Sequence, residues 1–482
     1  MELNAYKIKG FRGGIADDAY KGVVGSFRFG YGLNIRSEND TLKCNQALKK
    51  DSGSVVTDLI LFFVPATNGN LYGFGDTGNI YRKDGGDGTW SLVYTDPDGA
   101  ITGAAEYTNN NGSGSYIPYL YWATETKLKR ISLSGTWSTD VENFATLNGD
   151  PSWHTMTMSV GVLMICDGPY LALVDYEGNF NGKALDIVPG NRTKCLLPQD
   201  ALAIIGSTRG SKVEEGWLWT WDKIKPSWIV RRMIAEKGIN SLIQGEFILA
   251  QAGISGSLYY WDTANLVPLK KLPGGGWVEP GAVANFKGVP LLGVSGSSKC
   301  GVYSYGRLNK NDPYALNLEY IPSHGKLTGV GIGAICVFGD QPLVAWKDGD
   351  TYGVDVVDED NKATGRYEGL VFDAGNPFVQ KSFRFIKLLT KPLPQDCFVE
   401  VFYRLNESSD WLKATMADGS ESFDKEGKTK AVFTIETGDP EDEEEEDGMG
   451  ETYEVAATLH PSGNSTPDVV AITSLFDNAE LF

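Results

Sequence analysis

The sequence predicts an all-β protein whose main part is a β-propeller, and three observations carry this prediction. Glycine is abundant, with 58 of 482 residues, and aromatic residues make up 11% of the chain, while long helical patterns are almost missing. Apolar and polar residues alternate in "YLYWATETKLKRISLSGTW", Tyr119 to Trp137, which is typical of two strands joined by a tight turn. A similar phrase recurs at Leu71 to Trp90, and more loosely at Leu258 to Trp277.

The recurring phrases are spaced like the blades of a propeller. One aromatic residue in the most strand-like part of each unit gives intervals of 49, 49, 49, 41, 43 and 43 residues. These markers are Tyr72, Tyr121, Tyr170, Trp219, Tyr260, Tyr303 and Trp346. A four-stranded blade takes about 40 to 50 residues. The spacing therefore predicts six to eight blades over residues 55–372, with a series of β-sandwiches as the structural alternative.

The propeller pattern fades near Asp373. Beyond it, "KSFRFIKLLTKPLPQDCFVEVFYRLNESSDWLKA" and two later strand-like runs predict a compact β-sandwich over residues 373–482. Residues 1–54 are glycine-rich and irregular, which predicts an N-terminal arm or a segment that closes the ring. The sequence thus predicts three parts: 1–54, 55–372 and 373–482.

The charge of the chain is acidic and unevenly distributed. The sequence has 43 Lys and Arg against 62 Asp and Glu, a net charge of −19, and Thr437 to Glu454 supplies ten carboxylates without a base. This balance excludes general wrapping of nucleic acid, which needs clustered cations. The acidic run predicts either a solvated loop at residues 437–451 or a site for a partner or an ion. The candidate residues for such a site are Glu443, Glu444, Glu445 and Glu446.

Motifs of catalysis and cofactor binding are missing. His154, His324 and His460 lack metal-ligand spacing, the six cysteines form no CxxC pair, and hydrolase and phosphate-loop motifs do not occur. We therefore expect no cofactor, no metal site, free and mostly buried thiols, and no enzymatic activity. A glycosidase is the catalytic alternative, because sialidase propellers mark their blades with a SxDxGxTW hairpin. "KDGGDGTW", Lys83 to Trp90, keeps the final Thr and Trp of that pattern but not its Ser.

Two further features concern location and surface. No window approaches the roughly 20 apolar residues of a membrane-spanning helix, and the start lacks a secretory signal, so we expect no membrane span and folding in the cytoplasm. Trp217, Trp219 and Trp221 alternate in "GWLWTWDK", so their side chains point to one face of a strand. Either that face is buried between blades, or it is an interaction surface for a ring neighbour or a sugar.

The passage that ends the propeller pattern carries a resemblance to a known family. It contains an "FDAG" run and a "KSF" run, followed by a "VFYR" strand; the matching residues are Phe372, Asp373, Gly375, Lys381, Ser382, Phe383, Val401, Phe402, Tyr403, Arg404 and Trp411. Together with the blade phrases and the opening "GLNIRSENDTLKCNQAL", it resembles the β-propeller tail proteins of tailed bacteriophages, of the nozzle or hub type. The resemblance covers the organisation of the whole chain.

The resemblance implies a structural component of a virion tail, assembled in the host cytoplasm. It implies a homo-oligomeric ring, commonly of six copies, around the DNA exit channel used in DNA ejection. It further implies contacts with the portal-adaptor complex and with fibres or spikes, and passage of genomic DNA without specific binding. A carbohydrate-binding or glycan-degrading propeller for host attachment is the alternative. A cellular interaction propeller of the WD-repeat kind is a third, although neither the GH nor the WD signature recurs.

Overall fold

The structure of the chain is a computed structural model that describes residues 3–18, 27–38, 40–85, 88–110, 113–148, 153–210, 215–262, 265–307, 309–435 and 448–478. Within these residues all regular structure is β, with 44 strands and no helix. A helix able to span a membrane is likewise not found in that part of the chain.

The chain divides into two compact units, each built from segments that are distant in sequence. The first contains Met1–Leu48, Tyr303–Ile321 and Asp358–Phe482; the second contains Lys49–Val302 and Pro322–Val357. The sequence predicts three parts, with boundaries after residues 54 and 372. The two compact units do not test that division, which stays a prediction.

The strands of both units are numbered in chain order. The first seven are β1 (Asn4–Lys9), β2 (Gly14–Ile15), β3 (Arg28–Phe29), β4 (Tyr31–Leu33), β5 (Ile35–Glu38), β6 (Thr41–Cys44) and β7 (Gln46–Lys50). The next twenty are β8 (Ile60–Pro65), β9 (Leu71–Gly75), β10 (Asn79–Lys83), β11 (Trp90–Thr95), β12 (Gly103–Asn110), β13 (Tyr116–Ala123), β14 (Lys127–Ser132), β15 (Glu142–Thr146), β16 (Met156–Ser159), β17 (Val162–Asp167), β18 (Tyr170–Asp175), β19 (Phe180–Asp186), β20 (Asn191–Gln199), β21 (Leu202–Arg209), β22 (Gly216–Trp221), β23 (Val230–Ile234), β24 (Ile239–Gln244), β25 (Ile248–Ala252), β26 (Ser257–Trp261) and β27 (Leu266–Lys271). The last seventeen are β28 (Trp277–Phe286), β29 (Val289–Ser295), β30 (Gly301–Gly306), β31 (Ala315–Tyr320), β32 (Val330–Phe338), β33 (Gln341–Asp348), β34 (Thr351–Lys362), β35 (Gly365–Glu368), β36 (Lys381–Thr390), β37 (Phe398–Leu405), β38 (Leu412–Lys413), β39 (Thr415–Met416), β40 (Ser422–Phe423), β41 (Lys430–Thr434), β42 (Met449–Gly450), β43 (Tyr453–His460) and β44 (Val469–Asn478).

The second unit is a β-propeller with six four-stranded sheets. Five are meanders of consecutive strands, β8–β11, β12–β15, β16–β19, β20–β23 and β24–β27, and the sixth joins β32, β33 and β34 to β7, whose Lys49 and Lys50 belong to this unit. The innermost strands β8, β12, β16, β20, β24, β28 and β32 contact one another in that order, and β32 contacts β8. Between the fifth and sixth sheets, β28, β29 and β30 pair in that order, and β28 contacts both β24 and β32. The prediction of an all-β propeller is confirmed, and six four-stranded blades lie within the predicted range.

The ring is closed by the residues that follow β7. The backbone N–H groups of Asp51 and Ser52 donate to the carbonyl oxygen of Val354 at 2.8 and 3.2 Å, and the N–H of Val354 donates to the Ser52 hydroxyl oxygen at 3.0 Å. An early segment of the chain therefore completes the last sheet of the propeller, which leaves no open gap between the first and last blades.

The propeller core lies between neighbouring blades. Middle strands are buried on both faces, so their sequences are continuous runs of apolar or small residues. Examples are "LYGFG" of β9 and "ILAQA" of β25. Consecutive residues point to opposite faces, so Tyr121 and Trp122 of β13 enter different interblade cores. All six cysteines are free and buried, as expected.

The first unit contains two large sheets. One has the order β39-β41-β36-β44-β6-β5, with β1 added to β44 and β42 to β36; the other contains β31-β4-β35-β43-β37-β38, with β40 on β37. Phe383 of β36 stacks on Tyr453 of β43 with ring centroids 4.4 Å apart, and the Ser474 hydroxyl of β44 donates to the Tyr453 oxygen at 3.0 Å. The core of this unit therefore lies between side chains of the two sheets.

Candidate functional site

A cavity of about 380 Å³ opens at the end of the propeller where the innermost strands β16, β20, β24 and β28 begin. Tryptophans and cations form much of its wall: Trp153, Trp277, Arg192, Lys194 and Lys237, with the amide of Asn240 between them. We call it the cationic cavity. Three positive side chains at one place contrast with the net charge of −19 of the chain.

Two bulges in neighbouring blades place the polar centre of this cavity. In β20 the pairing with β21 shifts between Thr193 and Cys195, so Lys194 is the unpaired extra residue of the strand. In β24 the pairing with β25 shifts in the same way between Ile239 and Ser241, which makes Asn240 the extra residue. A bulge re-aims its side chain, and these two meet: the Lys194 amine donates to Asn240 Oδ1 at 2.9 Å.

The Asn240 side chain is fixed by its remaining hydrogen bonds. Its Nδ2 group donates to Gln251 Oε1 at 2.9 Å and to the Gly253 carbonyl at 2.7 Å, and the backbone N–H of Val278 donates to the same Gln251 oxygen at 3.1 Å. The network occupies the Nδ2 group of Asn240, so its Oδ1 is the atom that accepts from Lys194. The Lys194 amine is therefore held in one place by a neutral partner.

The surroundings of Lys194 leave its charge poorly compensated. Burial lowers the pKa of its amine, and the Glu279 carboxylate acts in the opposite direction without cancelling the effect. Among the described residues the hydrogen-bond acceptor of the Lys194 amine is Asn240 and not a carboxylate; Glu279 instead accepts a hydrogen bond from the Trp277 indole N–H at 2.7 Å. The amine lies over the ring of Trp153, 5.0 Å from its centroid, which supplies a cation–π contact.

The chemistry available in the cavity is that of binding. Its polar wall consists of cations, an amide and hydroxyls, and the Thr193 hydroxyl donates to the Gly168 carbonyl at 3.0 Å. The neighbouring His154 is fully buried, with Nδ1 2.8 Å from the Thr102 hydroxyl and Nε2 3.6 Å from Asp167. Cations beside aromatic walls suit an anionic group attached to an apolar body.

The structure places the three predicted tryptophans of β22 in one interblade core. Trp219 and Trp221 are fully buried and pack in the same cluster as the partly exposed Trp217. Trp217 stacks on Trp219 at 5.6 Å, and the Arg231 guanidinium lies 5.4 Å from the Trp217 ring. Of the two interpretations of this alternation, burial is therefore the one that the structure supports for Trp219 and Trp221.

The remaining candidate residues from the sequence belong to the acidic run. Glu443, Glu444, Glu445 and Glu446 lie outside the described residues. Within the described residues no group of three His, Cys, Asp or Glu side chains is placed to hold a metal ion.

Sequence reasoning missed the cationic cavity. Lys194 stands in "NRTKCLL" and Asn240 in "INSLIQ", where each reads as an ordinary strand residue. The only signal in the sequence is that both segments are first strands of their units and carry a polar residue shortly after the start. A bulge depends on the register of the partner strand, which one sequence does not show.

Comparisons with known proteins returned folds and no family. No protein-family model matches the chain, and no curated protein matches it. Among solved structures, it is similar to the WD40 β-propeller domain of Doa1, with 13% identity over 65% of this chain and 97% of that chain and a TM-score of 0.44. It is also similar to the β-propeller domain of Cps50 (Swd1) from Myceliophteria thermophila, with 14% identity over 64% and 98% and a TM-score of 0.44. A third is a chain of the mitotic checkpoint complex, with 9% identity over 65% and 93% and a TM-score of 0.45.

The resemblance to phage tail nozzle and hub proteins is wrong, since the similar structures found are WD40 propellers and complexes that contain them. The predictions that depended on this resemblance are wrong as well: the virion tail location, the ring of six copies, the portal-adaptor, fibre and spike partners, and the DNA channel.

The residues that carried the resemblance have local structural roles, which explains the error. Phe383 is buried against Tyr453, and the Lys381 amine donates to the carbonyl oxygens of Asn376 and Glu451, each at 2.6 Å. Asp373 accepts a hydrogen bond from the Gly375 N–H at 2.8 Å. Buried aromatics and turn carboxylates of this kind serve any β-protein, so the pattern does not identify a virion protein.

Proposed function

We propose that the protein is a non-catalytic binding scaffold that holds a partner protein at the end of its propeller where the cationic cavity opens. The observation that carries this proposal is Lys194, a half-buried cation whose hydrogen-bonding partner is the neutral Asn240. Buried charges are normally paired, so an unpaired one in a cavity favours a ligand that supplies the missing charge.

The rigidity of the cavity supports a binding role. Lys194 and Asn240 sit on adjacent innermost strands, and the Gln251 network ties β24, β25 and β28 together. A wall that is fixed before the partner arrives reduces the entropy lost on binding.

The composition of the cavity supports the non-catalytic part of the proposal. General acid–base catalysis requires a titratable group placed beside the reacting atoms, and nucleophilic catalysis requires a nucleophile beside a base. The residues that line the described cavity are tryptophan, arginine, lysine, threonine, asparagine, isoleucine and glycine. Only the lysines could accept a proton, and neither lies beside an activated nucleophile among these residues.

We further propose that the two sheets of the first unit form the β-sandwich expected near the carboxyl end. The stacking of Phe383 on Tyr453 and the hydrogen bond from Ser474 to Tyr453 support it, because both contacts join side chains of different sheets. Segments from the beginning of the chain contribute β1, β5 and β6 to this unit.

The proposal is tested by selecting partners from a yeast-displayed library of random peptides with the purified full chain. We expect enriched peptides whose binding is lost in Trp277→Ala and in Arg192→Gln, which change the aromatic wall and an exposed cation of the cavity. The matched control is Lys223→Met. Lys223 belongs to the same β20–β23 blade, but its amine contacts Ser159 and the Asp200 carbonyl, next to the turn that follows β20.

Each result of the selection decides the matter. Enriched peptides that bind both cavity variants as well as wild type would move the binding site elsewhere and overturn the proposal. Failure to enrich any peptide, with a folded propeller shown by its circular-dichroism spectrum, would do the same.

A further inference from the structure

We infer that the cationic cavity binds the carboxylate of an acidic peptide segment, with Lys194 as the charged anchor. This inference rests on the proposed function and names the chemistry of the partner. It comes from the polar contacts of the described lysines, from the positions of the charges and from the size of the cavity.

Half-buried Lys194 differs from three buried lysines, Lys83, Lys129 and Lys381, in what its amine contacts. Lys83 pairs with Asp51 at 2.8 Å and donates to both of its oxygens, and Lys129 pairs with Asp96 at 2.6 Å. Lys381, which lacks a carboxylate, donates to two backbone carbonyls instead. Among the described residues Lys194 has one neutral acceptor, which leaves two of its three N–H donors for a ligand.

The cations that line the cavity come from two adjacent blades. Arg192 precedes Lys194 by two residues on β20, and Lys237 lies just before β24 begins. The nearby carboxylate of Glu279 is engaged by the Trp277 indole. Among the described residues, the Lys194 amine is hydrogen-bonded to the neutral Asn240 and to no carboxylate, which favours an incoming negative charge at this point of the cavity.

The identity of the half-buried cation favours a carboxylate over a phosphate. Phosphate is a dianion near neutral pH and is held best by arginine forks or by clustered backbone N–H groups. The innermost cation here is a single lysine, and one positive charge in a site of low dielectric constant balances one negative charge. A monoanionic carboxylate thus matches the site without leaving excess charge buried.

The size and walls of the cavity favour a peptide over a small carboxylic acid. A volume of about 380 Å³ lies at the lower end of the range for ligand pockets, roughly 300–1,000 Å³. That volume exceeds one carboxylate, and Trp153, Trp277 and the exposed Ile254 offer apolar surface beside the charge. An acidic side chain flanked by an apolar residue would cover both kinds of surface.

Isothermal titration calorimetry of the full chain tests the inference. The probe is a blocked five-residue peptide of alternating glutamate and leucine, and the comparison probes are the same peptide with glutamine in place of glutamate, free acetate and inorganic phosphate. We expect the acidic peptide to bind roughly tenfold or more tightly than the glutamine peptide, because a charge-assisted contact is lost. Its affinity should fall between about 50 mM and about 500 mM NaCl, through screening of the exposed cations.

Variants assign the preference to the cavity. Lys194→Met should abolish the difference between the two peptides, whereas Lys223→Met should keep it. Should Lys194→Met fail to fold, Arg192→Gln, at an exposed position, should reduce the same difference.

Equal affinity for the two peptides, or tighter binding of phosphate, would overturn the inference. An acid preference that survives Lys194→Met and Arg192→Gln would also overturn it, and acetate binding as tight as the peptide would replace the peptide by a small acid. If library peptides bind at the cavity without an acid preference, the proposed scaffold function stands and this inference alone is lost.

Discussion

Two lysines of the propeller, the buried Lys129 on β14 and the half-buried Lys194 on β20, differ in the charge that surrounds them. The Lys129 amine lies 2.6 Å from Asp96 Oδ1 and also pairs with Asp98. Asp96 accepts a second hydrogen bond, at 2.6 Å, from the indole N–H of Trp122. Every member of this cluster has a partner of opposite charge or a good hydrogen bond, so it is a closed structural unit.

The Lys194 site contains the same kinds of residue in a different balance. Its amine donates to the amide of Asn240 and lies over Trp153. Tryptophan is present at both sites and therefore does not distinguish them; the carboxylate in contact does. A lysine on a buried strand is thus a structural residue when its counter-charge is built in, and a candidate ligand anchor when that charge is missing.

The pKa values of the two amines shift in opposite directions. Burial acts to lower the pKa of Lys129, but hydrogen bonds and attraction to Asp96 and Asp98 outweigh burial and leave the pKa raised. Burial also lowers the pKa of Lys194, where attraction to Glu279 is too weak to reverse it. The same residue type is therefore stabilised as a cation at one site and disfavoured as a cation at the other.

The largest effect is expected at the closed cluster. Lys129→Met removes the partner of the fully buried Asp96, and breaking a buried pair by removing one member costs about 3–5 kcal/mol. Urea unfolding of the full chain should show this loss in the transition of the propeller. Adding Asp96→Asn should restore part of the stability, because the unpaired charge is then gone. A loss below about 1 kcal/mol would show that Asp96 is hydrated and that the cluster is not closed.

The second prediction converts the open site toward the closed one. Asn240→Asp places a carboxylate beside Lys194 and should reduce the affinity for the acidic peptide roughly tenfold or more, since the charge is neutralised within the protein. The variant also loses the two hydrogen bonds donated by Asn240 Nδ2, so the free energy of unfolding should fall by about 1–3 kcal/mol. Calorimetry and urea unfolding measure the two effects. Undiminished peptide affinity would mean that the missing charge does not make this a site.

The propeller could be predicted from the sequence because burial on both faces leaves a clear pattern. The aromatic markers lie in buried inner strands, but Tyr72 and Tyr121 mark second strands whereas Tyr170 and Trp219 mark third strands. The even spacing of the markers therefore does not mean that they occupy equivalent positions in every blade. The spacing still predicted the blades, because both middle strands of a blade carry large apolar residues.

The cationic cavity could not be predicted, because it depends on pairing between distant segments. Lys194 and Asn240 become neighbours only through two bulges on adjacent blades, and a register shift leaves no mark in one sequence. The alternation of Trp217, Trp219 and Trp221 did predict a shared face, and all three pack in one cluster. The sequence could not say whether a neighbouring blade covers that face, because this depends on which strands meet.

A small change of stability is expected at the open site. Lys194→Met leaves Asn240 Oδ1 without its donor, which destabilises, and removes a poorly compensated charge from a half-buried position, which stabilises. The two effects should nearly cancel, and the free energy of unfolding should change by about 1 kcal/mol or less. Urea unfolding beside Lys129→Met makes this a direct test of the comparison. A loss as large as that of Lys129→Met would show that Lys194 has a structural counter-charge after all.

The smallest effect is a dependence on pH whose sign differs between the two lysines. The pKa of Lys194 in the folded protein is lower than its ordinary value of about 10.4, so between these values the unfolded chain binds a proton that the folded chain does not. The stability of wild type relative to Lys194→Met should therefore rise as the pH rises through this window. Lys129 has a raised pKa, so its contribution is present below about 10.4 and is lost only as the pH rises through the raised value.

Binding of the acidic peptide gives the same test a second measurement. Deprotonation removes the charge of Lys194, so the affinity should decline with rising pH beginning below the ordinary lysine value, and peptide binding should be accompanied by proton uptake. Calorimetry in two buffers of different ionisation enthalpy detects that uptake.

The other titratable groups near the Lys194 amine are Arg192, Lys237 and Glu279, together with the buried thiol of Cys195. Because burial raises the pKa of that thiol to about 12 and lowers the pKa of the Lys194 amine, a decline that begins below the ordinary lysine value points to Lys194. Lys194→Met should abolish the proton uptake, and uptake that persists in this variant would show that Lys194 is not the anchor.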